Sequence, residues 1–162
     1  ILKLSSIDAN AIKFTKEYVK LSKIIDESIK NVSVICDLKN INIHIEGNKN
    51  IKVNCDFKWQ VEAITNIIKN AIEHSHENST VDIKYEQNKV YTTVTITDYG
   101  IGIDAKVLPN IFKRFYRDTT SDTQGYGIGL SLAKSIIEAQ NGSINVSSVL
   151  DRYTIFTIKY FN

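Results

Sequence analysis

The stretch TVTITDYGIGI, residues 93–103, has the alternation of a half-buried strand and ends in a carboxylate and two glycines. Val90, Val94, Ile96 and Asp98 fall in the same phase of this alternation. Because strand side chains alternate between two faces, Asp98 is predicted to point to the buried side of a sheet together with the apolar residues.

A lone carboxylate on a buried face is costly unless another group donates a hydrogen bond to it. The exocyclic amine of an aminopurine would be such a donor for Asp98. Gly100 and Gly102 would then let the ring lie against bare backbone. The alternative is a strand-end aspartate that organises the following turn.

The second glycine-rich stretch is TQGYGIGLSLAKS, residues 123–135, which runs directly into an amphipathic helix. Gly125, Gly127 and Gly129 stand at alternate positions, and their amides at a helix N-terminus could cradle phosphate oxygens. Leu130 stands where the dinucleotide fingerprint GxGxxG needs its last glycine, so that motif is not matched. A tight turn before a helix is the alternative.

A third feature is the segment QVEAITNIIKNAIEHS, residues 60–75, which carries a polar stripe opposite its apolar stripe. The stripe consists of Glu62, Asn66, Asn70 and Glu73. Asparagine carbonyl oxygens suit Mg²⁺, which takes few protein ligands and keeps water and phosphate oxygens. The alternative is a solvated helix face.

Periodicity along the rest of the chain predicts hairpins of strands with helices between them. We therefore expect an α+β fold: a two-layer sandwich of a mixed, mostly antiparallel sheet with helices on one face. Strands 41–47 and 51–56 are predicted to form a hairpin, and Asp56 to cap the following helix. The predicted helices are 22–38, 57–74 and one from the second glycine stretch to Asn141–Gly142; the other strands are 80–86, 89–98, 143–149 and 153–161.

Length and composition exclude several classes of protein. A chain of 162 residues is most simply one domain. Its net charge of +2 is too small to suggest nucleic-acid binding. No apolar run approaches the roughly 20 residues of a membrane span. Since the chain contains no methionine, we expect it to be part of a larger protein.

Four motifs, in this order, resemble the ATP-binding catalytic domain of bacterial sensor histidine kinases, a family related to DNA gyrase and HSP90. They are NIIKNAIEHS, DYGIG, IFKRFYR and GYGIGL. The opening LKLSSID resembles the end of the preceding dimerisation helix. The resemblance implies that residues 1–10 end that helix or its linker and that 11–162 form the ATP-binding domain.

The resemblance also implies a role for each matching residue. Asn70 would hold a Mg²⁺ ion on the phosphates, and Arg114 with Phe112 and Phe115 would tie the lid segment 117–126 to nucleotide and partner domain. The implied catalytic residues are Asn66, Asn70, Arg114 and Arg117. The implied ATP-contacting residues are Asn70, Glu73, His74, Asp98, Gly100, Gly102, Ile103, Arg117, Gly125, Gly127, Gly129 and Leu130.

Two positions depart from the family and one indicates its chemistry. Glu73 and His74 stand where the family often has lysine and tyrosine. Asn66 stands where the ATP-hydrolysing relatives have a glutamate that activates water. Because an amide cannot accept a proton, this site should hold ATP without hydrolysing it.

The resemblance therefore implies a protein-histidine kinase domain that uses ATP and Mg²⁺. The phosphoryl group would pass to a histidine of an upstream dimerisation domain, and from there to a response regulator. The full-length protein would be a homodimeric, membrane-anchored sensor with this part in the cytoplasm, and the isolated chain a monomer. The alternatives are a degenerate docking module without kinase activity and an anti-sigma-type serine kinase.

Overall fold

The computed structural model describes residues 12–113 and 127–162. Within these residues no helix is both long enough and apolar enough to cross a membrane. A single 3₁₀ turn, Leu108–Asn110, lies between the fifth strand and the last helix. The strands and α-helices, in chain order, are β1 Glu17–Lys20, α1 Leu21–Asn31, α2 Ser33–Lys39, β2 Asn42–Gly47, β3 Lys52–Cys55, α3 Phe57–His74, β4 Thr80–Gln87, β5 Tyr91–Asp98, α4 Gly127–Ala139, β6 Gly142–Val149 and β7 Tyr153–Phe161.

The main sheet has five strands in the order β2-β4-β5-β7-β6. β2 runs parallel to β4, and all other neighbours are antiparallel. Alternate side chains of β5 and β7 are buried, as expected for a sheet with helices packed on one face. The predicted α+β sandwich with a mixed, mostly antiparallel sheet is confirmed.

β5 lies at the centre of this sheet, and its sequence explains its position. Thr92, Val94, Ile96 and Asp98 are buried on its inner face, between the facing residues of β4 and β7. β-branched residues at alternate positions favour such a two-sided strand environment. The prediction that Val90 shares this face is wrong, because Val90 precedes β5 and is 61% exposed.

α3 has the bounds predicted from the sequence. The Asp56 side chain caps its first turn, where Oδ1 accepts the Trp59 amide at 3.2 Å, and Oδ2 accepts the Thr15 amide at 2.8 Å. The apolar stripe of α3 is fully buried in the core shared with the sheet. This stripe consists of Val61, Ala63, Ile64, Ile67, Ile68, Ala71 and Ile72.

The predicted hairpin of β2 with β3 is wrong. β2 pairs in parallel with β4, whereas β3 pairs antiparallel with β1, a short strand that the sequence did not predict. The alternation correctly indicates the buried face at Val53 and Cys55 and, in part, at Ile43, whereas Ile45 is 41% exposed. The alternation does not specify the neighbouring strand, and both apolar faces reach the core from separate sheets.

The predicted single helix 22–38 is also wrong, because the chain forms α1 and α2 with a break at Val32. Val32 is only 2% exposed, so burying its side chain favours the change of direction. The Ser28 hydroxyl donates to the Ile24 carbonyl at 2.8 Å, a bond that often accompanies helix bending. α2 has no fully buried residue, and its contact with the core is limited to the partly buried Ile35 and Cys36.

Replacing the capping residue tests how the N-terminus of α3 is stabilised. Asp56→Ala removes both hydrogen bonds of the carboxylate, so we expect the free energy of unfolding to fall by roughly 1–2 kcal/mol in urea denaturation. Asp37→Ala, an exposed helical position of α2, is the matched control and should change it by less than about 0.5 kcal/mol. Equal losses in the two variants would show that the cap contributes nothing.

Candidate nucleotide site

Asp98 ends β5 with a buried carboxylate. It is 1% exposed, and its Oδ1 accepts the Gly100 amide at 3.1 Å. Burial raises the pKa of this carboxyl to about 6, and the Gly100 hydrogen bond opposes that rise. Among the described residues nothing donates to its second oxygen. The site therefore presents a desolvated hydrogen-bond acceptor, as predicted for recognition of an amine.

The structure gives Gly100 and Gly102 a role in backbone packing, which differs from the predicted contact with a ligand ring. A Cβ on Gly100 would lie 1.8 Å from the His74 carbonyl oxygen, and one on Gly102 would lie 2.4 Å from that of Val149. Gly102 also has a φ of +70°, which favours glycine. Both glycines thus let two backbone segments pack together, and their contact with a ligand ring stays a prediction.

This packing joins the end of α3 to the loop after β5. The Ile101 amide donates to the His74 carbonyl at 3.1 Å, and the Ile101 carbonyl accepts the Asp151 amide at 2.7 Å. Ile103 is 5% exposed, and its amide donates to the Ser148 hydroxyl at 2.8 Å. The loop is therefore fixed between α3 and the β6–β7 turn, and the Ile103 side chain belongs to the core.

The predicted polar stripe of α3 faces this loop only in part. Asn66 and Asn70 are half-buried, and neither side chain hydrogen-bonds to a described residue. Glu73 is exposed, whereas His74 is 7% exposed. Burial, and secondarily the charge of Lys39, lowers the His74 pKa, so its imidazole is neutral at pH 7.

The second glycine stretch opens α4 beside the asparagines of α3. A Cβ on Gly129 would lie 3.7 Å from the Asn66 Oδ1, so the side-chain amide of Asn66 is close to the first turn of α4. Gly127 begins the helix, and Leu130 is 2% exposed. The first amides of a helix have no intrahelical acceptor, so this turn can donate to an anion.

Several predicted site residues lie outside the described residues, so their roles stay predictions. They are Arg114, Phe115, Arg117, Gly125 and the segment 117–126. Phe112 is described and packs edge-to-face on Phe156, with ring centroids 6.1 Å apart. The Lys134 ammonium lies 5.1 Å from the centre of the Phe112 ring. Phe112 is therefore partly buried against the core, and its predicted tie to the lid segment stays a prediction.

Sequence reasoning missed two residues that shape the site. The Ser148 hydroxyl accepts from Ile103 and donates to the Tyr153 carbonyl at 2.7 Å. Lys39 donates to three carbonyls at the end of α3. The only signal for Lys39 in the sequence is a lysine directly after the predicted helix 22–38, which is too common to indicate a contact with another helix.

Comparison with known proteins identifies the family. Residues 55–161, well over half of the chain, match the family described as histidine kinase-, DNA gyrase B- and HSP90-like ATPase. The chain is 33% identical over 160 residues to the heme sensor protein HssS of Staphylococcus saprophyticus, covering 99% of this chain and 34% of that protein. It is 34% identical over 161 residues to sporulation kinase A of Bacillus subtilis, covering 99% and 26%.

Solved structures agree on the fold. The histidine kinase AdeS of Acinetobacter baumannii superposes with a TM-score of 0.83 at 24% identity, covering 99% of this chain and 74% of that one. The chain belongs to the histidine kinase-, DNA gyrase B- and HSP90-like ATPases, as an ATP-binding catalytic domain of the sensor histidine kinase type. It spans about a third or less of the length of the two curated relatives described above.

Gly100 and Gly129 provide a matched test of the two glycine stretches. Gly100→Ala should lower the free energy of unfolding by roughly 2–4 kcal/mol, because its methyl group overlaps a backbone carbonyl. Gly129→Ala has room for the methyl group and should raise it by up to about 1 kcal/mol through helix propensity. Urea denaturation measures both; a tolerated Gly100→Ala would contradict the close backbone packing.

The raised pKa of Asp98 predicts a pH dependence of stability. The folded protein holds this proton more tightly than the unfolded chain, so the contribution of Asp98 to the free energy of unfolding falls as pH rises from about 4 to about 6. A shift from 3.8 to about 6 corresponds to about 3 kcal/mol. Asp98→Asn has no such titration, so its stability relative to wild type should increase across this window.

Urea denaturation at pH 4, 5, 6 and 7 measures that difference. The lowered pKa of His74 contributes the opposite slope, since its stabilisation is lost as pH falls below about 6.5. Because His74 is present in both proteins, its contribution cancels in the comparison. A constant difference between Asp98→Asn and wild type would show that the Asp98 pKa is not raised.

Proposed function

We propose that this chain binds ATP between α3, the loop after β5 and the start of α4, and donates its γ-phosphoryl group to a histidine. The buried carboxylate of Asp98 supports this function most directly. Its second oxygen has no described partner, and an adenine amine would supply the missing donor. The same helix α3 ends at His74 and carries Asn66, which lies beside the first turn of α4.

We propose Asn70 as the residue that holds a Mg²⁺ ion. Its amide is half-buried and makes no hydrogen bond to a described residue, so its carbonyl oxygen is available. Within residues 12–113 and 127–162 there is no group of three or more His, Cys, Asp or Glu side chains arranged to bind a metal. A single protein oxygen suits Mg²⁺, which keeps water and phosphate oxygens as its other ligands.

Asn66 supports phosphoryl transfer rather than hydrolysis. Its amide lies beside the first turn of α4, and a carboxamide cannot take a proton from an attacking water. Phosphoryl transfer depends mainly on positioning and charge neutralisation, which the glycine-rich turn and Mg²⁺ would supply. Arg117 and Gly125 are proposed to contact the phosphates, and Arg114 to tie the lid segment 117–126 to nucleotide and partner domain, as the family resemblance implies.

The acceptor histidine is proposed to lie in a dimerisation domain that precedes this domain in the full-length protein. Residues 1–10 would end its helix, and 11–162 would form the ATP-binding domain. The full-length protein would be a homodimer that passes the phosphoryl group to a response regulator. The names of the curated relatives, among them a heme sensor and a sporulation kinase, support a sensor kinase. A membrane-anchored sensor with this domain in the cytoplasm is part of the same proposal.

Calorimetric titration with a non-hydrolysable ATP analogue tests the site. Wild type should bind, and Asp98→Ala should lower the affinity roughly 5- to 150-fold through loss of one buried polar contact. Asn70→Ala should remove the Mg²⁺ dependence of binding, while Asn145→Ala, at an exposed position of β6, should change nothing. An unchanged affinity in Asp98→Ala would remove Asp98 from the site.

A second experiment identifies the type of residue that receives the phosphoryl group. The chain is joined to a phosphoacceptor hairpin of the histidine kinase family and incubated with radiolabelled ATP. Label that is lost in acid and stable in base would indicate phosphohistidine. Tight ATP binding without label would favour the docking module, and an acid-stable product would favour the serine kinase.

A further inference from the structure

Lys39, the last residue of α2, makes an unusual set of contacts with a different helix. Its ammonium donates to the carbonyls of Ile72 at 3.1 Å, Glu73 at 2.8 Å and Ser75 at 2.8 Å. These carbonyls lie in and just after the last turn of α3, where a helix has unsatisfied acceptors and partial negative charge. All three ammonium hydrogens are therefore used on backbone oxygens of one short segment.

The backbone around Lys39 holds the continuation of the same segment. The Lys39 carbonyl accepts the Asn78 amide at 2.9 Å, and the Asn40 side-chain amide donates to the Asn78 side chain at 2.8 Å. Asn40 has a left-handed conformation, with a φ of 52°, which turns the chain toward β2. The side chain of Lys39 and the backbone around it together hold the chain from Ile72 to Asn78 in place.

This segment, residues 72–78, contains the His74 carbonyl, on which the geometry of the site depends. The His74 carbonyl lies between the Glu73 and Ser75 carbonyls that Lys39 binds. It accepts the Ile101 amide and packs against Gly100, whose own amide is bound by Asp98. A short chain of contacts thus links the Lys39 ammonium to the Asp98 carboxylate through backbone alone.

We propose that Lys39 is a positioning residue for the nucleotide site, which fixes the end of α3 against the loop after β5. Asn70 and Asp98 lie on the two sides of this junction, so its geometry sets their separation. The inference rests on the proposed ATP-binding function. Lys39 acts through the backbone, because its three hydrogens are already bonded to carbonyls and none is left for a phosphate.

The test compares Lys39→Met with Lys30→Met. Methionine keeps an unbranched stem of similar length but has no donor. Lys30, in the last turn of α1, is exposed and is the matched control. Amide hydrogen exchange by NMR is measured at Ile101 and at Val94. The Ile101 amide donates to the His74 carbonyl and so reports opening of the junction, whereas Val94 lies in the centre of the sheet. Calorimetry with the ATP analogue and Mg²⁺ is carried out on the same proteins.

Lys39→Met should speed exchange at Ile101 about tenfold or more, because opening of the junction is eased, and should speed exchange at Val94 by no more than this, because global unfolding breaks the same contacts. The affinity of Lys39→Met for the analogue should fall roughly 5- to 30-fold, because several charge-assisted hydrogen bonds that position the site, but do not contact the ligand, are lost. Lys30→Met should leave both quantities unchanged. This combination would establish the positioning role, because a lysine that only stabilised the domain would leave the affinity of the folded protein unchanged.

Two results would overturn the inference. Faster exchange at Ile101 and Val94 with an unchanged affinity for the analogue, in a protein whose wild type binds it, would mean that Lys39 only stabilises the domain. Unchanged exchange at Ile101 would mean that the junction does not need Lys39. Absence of binding by wild type would instead refute the proposed ATP site, so the two failures are distinguishable.

Discussion

The structure depends on one close approach between two backbones, at the end of α3 and the start of the loop after β5. The His74 carbonyl accepts the Ile101 amide, and the absence of a side chain at Gly100 allows the approach. The helix supplies the asparagines and the strand supplies Asp98. Neither group can form a site without the other, so the missing side chain of one glycine determines whether the two elements form one surface.

The same junction accounts for the electrostatics of the site. Burial raises the pKa of Asp98 and lowers the pKa of His74, so both side chains favour their neutral forms. A carboxylate that must ionise in this environment costs stability in the free protein. A free-energy cost of this kind is typical of functional sites. The surrounding core offsets it, and a ligand that supplies the missing donor lowers it.

The sequence predicted those features that depend on neighbouring residues. Periodicity and an N-cap at Asp56 gave the bounds of α3, and alternation placed Asp98 on the buried face. It could not predict features that depend on distant partners. Alternation does not say which strands pair, so β2 and β3 were assigned to each other. The backbone partner of Gly100 and the three acceptors of Lys39 are likewise set by packing between segments far apart in the chain.

The position of β5 between β4 and β7 has a consequence for synthesis on the ribosome. Asp98 pairs with Thr154, and Gly102 packs against the turn at Val149. These contacts span about fifty residues, so the loop after β5 cannot take its final form until the C-terminal hairpin has emerged. Domains fold as their chain appears, and long-range pairing comes late. A growing chain therefore carries the helix with its asparagines well before it can hold a nucleotide.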